Sequence, residues 1–223
     1  ALWNKAFRLR PLREANVRFV THIWYEDMRV VPKFISLCGS AVFLETPLYN
    51  YMKREGSIMN NDRANRNSEI IDACVDLCDW FRERGIYEEY RTELEKLDAS
   101  FREVAGNGTR RTVVFGDRFP LLYFVKEYGL DYYAAFPGCS SAVEASPAAV
   151  AFLIGKVKEE NIPAVFHIEL SKTEICEAIA EETGAKVLQF NACHNLTAEQ
   201  FAAGATYISL MTENVSALAA ALG

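Results

Sequence analysis

The chain has 223 residues, of which 50% are hydrophobic and 24% are charged, with 24 Lys and Arg against 30 Asp and Glu. The net charge of −6 leaves no basic surface for a phosphate backbone, so we expect no nucleic-acid partner. No run of 18 apolar residues occurs, so the sequence predicts no transmembrane segment.

The first half predicts a mostly helical α+β segment. Glu26 and Asp27 follow an apolar run and suit the start of a helix, because carboxylates are favoured near a helix N-terminus. Residues 68–85, where Cys74 and Cys78 lie four apart on one helix face, and residues 88–103 are expected to form two further helices.

A change in composition indicates a boundary in the middle of the chain. Twelve of the fifteen arginines precede residue 105, and the remainder is richer in Ala, Val and Ile. The stretch Gly106–Thr109 favours a turn. We therefore divide the chain into a first segment at 1–95, a helix end and linker at 96–110, and a second segment at 111–223.

The second segment alternates strands with helices. Short β-branched and aromatic runs predict buried strands at 112–115, 131–136, 164–168 and 186–190. Helical spacing and capping residues predict helices at 119–128, 146–160, 173–183 and 197–222, the last in one or two pieces. This alternation is typical of βαβ units, so the predicted fold class is α/β with a parallel sheet.

In a parallel sheet, ligands bind beyond the carboxyl ends of the strands. The segments that follow the four predicted strands are 116–118, 137–144, 169–171 and 191–195. Together they bring three carboxylates, one histidine and two cysteines to one edge. A neutral imidazole with carboxylates fits zinc or manganese, although a catalytic pocket would use the same groups.

Five motifs follow one another in this segment. They are Val113–Pro120, Tyr128–Tyr132, Phe136–Ser140, Asn191–Asn195 and Tyr207–Asn214. Over residues 96–223 they resemble the C-terminal lobe of the zinc- and manganese-binding receptors of ABC importers. The resemblance implies a two-lobed receptor that holds a divalent metal between its lobes, delivers it to an ABC permease, and works at the extracellular face of the membrane, often as a lipoprotein.

The resemblance also implies three metal-ligand candidates. Many family members have a histidine at the end of the first strand of this lobe, where this chain has Gly116 followed by Asp117. The carboxylate that follows the last strand in the family is replaced by His194, and Glu144 matches an acidic position before a Ser-Pro cap. The candidates are therefore His194, Asp117 and Glu144, with zinc or manganese as the metal.

Each candidate has a structural alternative. His194 would otherwise cap a helix from a surface loop, Asp117 would cap the helix that follows it, and Glu144 would be a solvated loop residue. Cys139 and Cys193 both follow strands that end at the same edge. They are expected to form a disulfide or to line the site as separate residues.

The first segment carries unrelated motifs. They are Trp3–Lys5, Val17–Phe19, Trp24–Asp27, Val42–Leu44, Pro47–Tyr51 and Arg54–Met59. Over residues 1–95 they resemble the C-terminal part of a family 2 glycosyltransferase catalytic domain. The resemblance implies a nucleotide-sugar substrate, a cytoplasmic location and Asp27 as the catalytic base. The alternative is that Asp27 only favours a helix N-terminus.

The two resemblances predict a chimera-like chain. No Asp-x-Asp metal motif occurs, so we expect a glycosyltransferase remnant to be inactive without its nucleotide-binding half. The favoured function is a divalent-metal-binding component of an ABC importer that is partial and binds weakly. A glycosyltransferase remnant, and a fragment with neither activity, are the alternatives.

Overall fold

The computed structural model describes residues 5–21, 23, 25–42, 46, 48–50, 52, 69–136 and 145–223. The chain divides into two compact units, Ala1–Arg91 and Thr92–Gly223. This division falls a few residues before the predicted end of the first segment at residue 95. Within the described ranges, no helix is long and apolar enough to cross a membrane.

The first unit is helical in its described part. It contains α1 (Leu9–Glu14), α2 (Glu26–Ser36), α3 (Glu69–Glu83) and the first turn of α4 (Tyr87–Asn107). Leu12, Val30 and Phe34 form its buried apolar cluster, and an ion pair between Lys33 and Asp76 joins α2 to α3. No strand occurs among the described residues of this unit, so the β part of the expected α+β segment has no counterpart there.

The second unit contains a four-stranded parallel sheet, which confirms the predicted α/β class. Its strands are β1 (Thr112–Arg118), β2 (Asp131–Phe136), β3 (Ala164–Ile168) and β4 (Lys186–Phe190), in the spatial order β2-β1-β3-β4. The bounds of β2, β3 and β4 are those predicted. β1 continues past its predicted end at Phe115 to Arg118, with a shift of register against β2 on the way.

Five further helices follow the strands. They are α5 (Leu122–Glu127), α6 (Pro147–Glu159), α7 (Glu174–Thr183), α8 (Ala198–Ala202) and α9 (Tyr207–Leu222). Ser146 caps α6 by accepting a hydrogen bond from the Ala149 amide, and Gly184 ends α7 with a positive φ of 74°. The predicted last helix is in two pieces because Thr197 and Thr206 each begin a new helix with a capping box.

Alternating side chains of the strands fill both faces of the sheet. On one face, Phe115 and Phe166 pack with Phe101 of α4 and Leu218 of α9. On the other face lies a second buried cluster, Val114, Val165, Leu153, Val157, Cys176 and Ile179, which includes residues of α6 and α7. Burying one such side chain contributes about 1.5–3 kcal/mol. This packing fixes the carboxyl ends of the strands, where the candidate ligand Asp117 lies.

Candidate metal centre at the carboxyl edge of the sheet

Asp117 joins the ends of two neighbouring strands. Its side chain is buried, and Oδ1 accepts a hydrogen bond from the Arg118 amide at 2.6 Å. Oδ2 accepts one from the Ile168 amide of β3 at 3.1 Å. The helix after it, α5, has no side-chain cap, so Asp117 braces the sheet edge and does not cap that helix.

Gly116 is held in close contact with α7. A Cβ atom built at this position would lie 2.5 Å from Cys176 Sγ and 3.1 Å from the Cys176 amide nitrogen. The glycine therefore allows α7 to pack onto β1, and a histidine at this place would collide with the helix. The Cys176 thiol donates to the Phe166 carbonyl at 3.3 Å, and burial raises its pKa to about 12.

Glu169, directly after β3, binds the loop that follows β4. Its carboxylate is 9% exposed; Oε2 accepts from the Ala192 amide at 2.6 Å, and Oε1 accepts from the His194 amide at 2.8 Å. The sequence places Glu169 at this edge but gives it no role. The sequence signal for such a role is an acidic residue directly after a buried strand. A carboxylate that is buried at such a place requires hydrogen-bond donors.

Two buried asparagines hold the start of the same loop. Asn214 of α9 accepts from the Asn191 amide through Oδ1 at 2.7 Å and donates to the Asn191 carbonyl through Nδ2 at 2.8 Å. The Asn191 side chain donates to the Leu210 carbonyl at 3.3 Å. The backbone amide and the backbone carbonyl of Asn191 therefore both attach the end of β4 to α9.

His194 lies on this loop with an exposed side chain. Cys193 before it has a left-handed backbone, with φ of 58°, and carries a free thiol. Burial, together with the charge of Glu169, raises the pKa of the Cys193 thiol to about 11, so it stays protonated at neutral pH. Glu144 and Cys139 lie outside the described residues.

The described candidates are connected but do not form a closed coordination site. Asp117 contacts Ile168, and the next residue, Glu169, contacts His194. His167 is half-buried within β3, with Nδ1 3.0 Å from the Ile168 carbonyl oxygen. In the described part of the chain, no group of three or more His, Cys, Asp and Glu side chains is arranged to hold a metal ion.

Asp27 lies in the first turn of α2, in the first unit. Its Oδ1 accepts from the Met28 amide at 2.9 Å, and Tyr25 before the helix has a positive φ of 60°. A carboxylate in the first turn favours a helix N-terminus, which is the alternative to a catalytic role given above for Asp27. Trp24 and the Arg54–Met59 motif lie outside the described residues, and a catalytic role for Asp27 stays a prediction.

The parallel sheet, with helices on both faces and a braced loop at its carboxyl edge, is the fold of a substrate-binding lobe. Residues 84–221 match the family model described as zinc-uptake complex component A, periplasmic. The chain belongs to this family.

Sequence similarity to a known zinc-uptake protein supports this family membership. The high-affinity zinc uptake system protein ZnuA of Bacillus subtilis (strain 168) is 28% identical over 159 residues, which cover 69% of this chain and 47% of that protein. The chain therefore spans about half the length of this relative. These comparisons lend no support to the glycosyltransferase resemblance of residues 1–95.

Solved structures show the same fold. The metal-dependent lipoprotein YcdH from Bacillus subtilis has a TM-score of 0.54 at 27% identity, covering 72% of this chain and 59% of that one. The Zn(II)-bound ZnuA-like domain of Streptococcus pneumoniae AdcA has a TM-score of 0.52 at 27% identity, covering 62% of this chain and 51% of that one.

Proposed function

We propose that residues 92–223 act as the metal-binding lobe of a zinc-uptake receptor and that His194 is a zinc ligand. The observation that carries this proposal is an exposed imidazole on a loop whose backbone is bound by Glu169 and Asn214. An imidazole nitrogen is a preferred zinc ligand. Family membership supports the assignment, because relatives are described as zinc-uptake and zinc-binding proteins.

The other two ligand candidates have different support. Both oxygens of Asp117 already accept backbone hydrogen bonds, so its ligand role would require the remaining lone pairs. Glu144 stays a candidate from the family resemblance alone. Because a single exposed imidazole supplies only one ligand, we expect weak zinc binding by this chain.

Transport is the role that follows from the family. A zinc-uptake receptor delivers its metal to an ABC permease, so we propose such a permease as the partner. We place the protein at the extracellular face of the membrane, since the family is described as periplasmic and the relatives of known structure include lipoproteins. Manganese is the alternative metal.

Calorimetric titration of the purified chain with zinc, and separately with manganese, tests this proposal. We expect zinc to bind more tightly than manganese, and His194→Ala to remove most of the zinc binding. Asn195→Ala, an exposed neighbour in the same loop, is the matched control and should bind zinc like the parent. Unchanged zinc binding by His194→Ala would overturn the ligand assignment, and tighter manganese binding would overturn the choice of metal.

A further inference from the structure

We propose that Glu169 is a positioning residue of this site, whose buried carboxylate fixes the backbone at Ala192 and His194 and so sets the direction of the His194 imidazole. The proposal rests on the proposed function of His194 as a zinc ligand. It assigns a role to a carboxylate that contacts the loop backbone and not the metal.

The geometry of the loop carries the first step. The Ala192 and His194 amides both donate to one carboxylate, at 2.6 and 2.8 Å, although they are two residues apart. Cys193 between them has a φ of 58°, a conformation that is uncommon for a residue other than glycine. Such a conformation persists where surrounding contacts hold it, and Glu169 supplies two charge-assisted hydrogen bonds.

The attachment of Glu169 itself is the second step. The Ile168 amide, one residue earlier, donates to Asp117 of β1 at 3.1 Å. A continuous series of carboxylate-to-amide contacts therefore runs from β1 through the end of β3 to His194. Asn214 holds Asn191 at the start of the loop, so the first half of the loop is bound to two buried side chains.

The consequence for binding is the third step. A ligand held on a fixed backbone loses less conformational freedom when it takes up a metal ion, and this preorganisation raises affinity. Changing a residue that orients a metal ligand lowers metal affinity about 10- to 100-fold. We expect a loss in this range when Glu169 no longer binds both amides.

A double-mutant cycle for zinc affinity tests the proposal. Glu169→Gln keeps the size of the side chain but presents an NH₂ group to one of the two amides. It should lower zinc affinity about 10- to 100-fold in the parent and cause no further loss in a His194→Ala background. Glu213→Gln is the matched control: it removes a carboxylate that contacts the Asn191 side chain and should leave affinity nearly unchanged.

Amide hydrogen exchange in the absence of zinc gives a readout that does not depend on binding. The Ala192 and His194 amides should exchange faster in Glu169→Gln than in the parent, while amides of β1 keep their protection. If Glu169→Gln does not fold, Glu169→Asp, which keeps the charge but shortens the side chain, should show the same two changes.

Three results would overturn the positioning role: a folded Glu169→Gln variant with parental zinc affinity, an equal loss from Glu213→Gln, or an equal loss in the His194→Ala background. Failure of the parent to bind zinc would instead overturn the proposed function. In that case, unchanged amide hydrogen exchange at Ala192 and His194 in Glu169→Gln would also show that Glu169 does not hold the backbone of the loop.

Discussion

The two units differ in how their apolar side chains form a buried core. In the second unit, alternating residues of every strand supply both faces of a parallel sheet, and helices cover each face. In the described part of the first unit, the buried apolar cluster consists of Leu12, Val30 and Phe34, while α3 leaves Ile71 and Val75 largely exposed. The family fold is therefore encoded in the second unit by a complete hydrophobic pattern.

The largest expected effect is the loss of a central aromatic residue of the sheet. Phe166 is fully buried and packs against Phe115 and Phe190, so Phe166→Ala should cost about 3–5 kcal/mol of unfolding free energy. Phe34→Ala, the matched change in the first unit, should cost less because its cluster is small. Urea unfolding measures both, with alkylation of Cys176 reporting the second unit and tryptophan fluorescence the first, since all three tryptophans lie within Ala1–Arg91.

An equal or larger cost for Phe34→Ala would contradict this contrast between the units. It would mean that the small cluster stabilises its unit as strongly as the sheet stabilises the lobe. Leu9→Ala, at an exposed position of α1, controls for the general effect of truncating an apolar side chain in the first unit.

A smaller effect is expected at the contact between β1 and α7. Gly116→Ala adds a Cβ atom 2.5 Å from Cys176 Sγ, and overpacking of this kind costs about 1–3 kcal/mol. The double variant Gly116→Ala/Cys176→Ala should recover part of the loss, because the sulfur is removed. Urea unfolding followed by circular dichroism measures both. A Gly116→Ala variant as stable as the parent would show that the packing of α7 does not explain the glycine at the family's histidine position.

The fold of the second unit was largely predictable because its pattern is local. The runs at 131–136, 164–168 and 186–190 are short and apolar. Ser146 caps the start of α6, and Gly184 ends α7. The end of β1 was not predictable, since Gly116 and Asp117 look like the start of a loop. The contact of Asp117 with the Ile168 amide keeps them in the sheet.

The site was predictable to a smaller extent. The edge of the sheet and the exposure of His194 follow from strand order and a polar loop, and the structure places His194 there. The role of Glu169 was missed because its two partners lie more than twenty residues later in the chain. A hydrogen bond from a distant backbone amide leaves no periodic pattern in a sequence.

The smallest expected effect contrasts glycines that differ in backbone conformation. Gly155 is exposed within α6 and has nothing within 4 Å of a built Cβ, so Gly155→Ala should stabilise the second unit by about 0.5–1 kcal/mol. Gly85, after α3, also has open space but a φ of 70°, so Gly85→Ala should destabilise the first unit. Thermal unfolding of both variants measures whether each substitution stabilises or destabilises its unit. Stabilisation by both would show that free space alone decides the effect and that the left-handed backbone at Gly85 has no part in it.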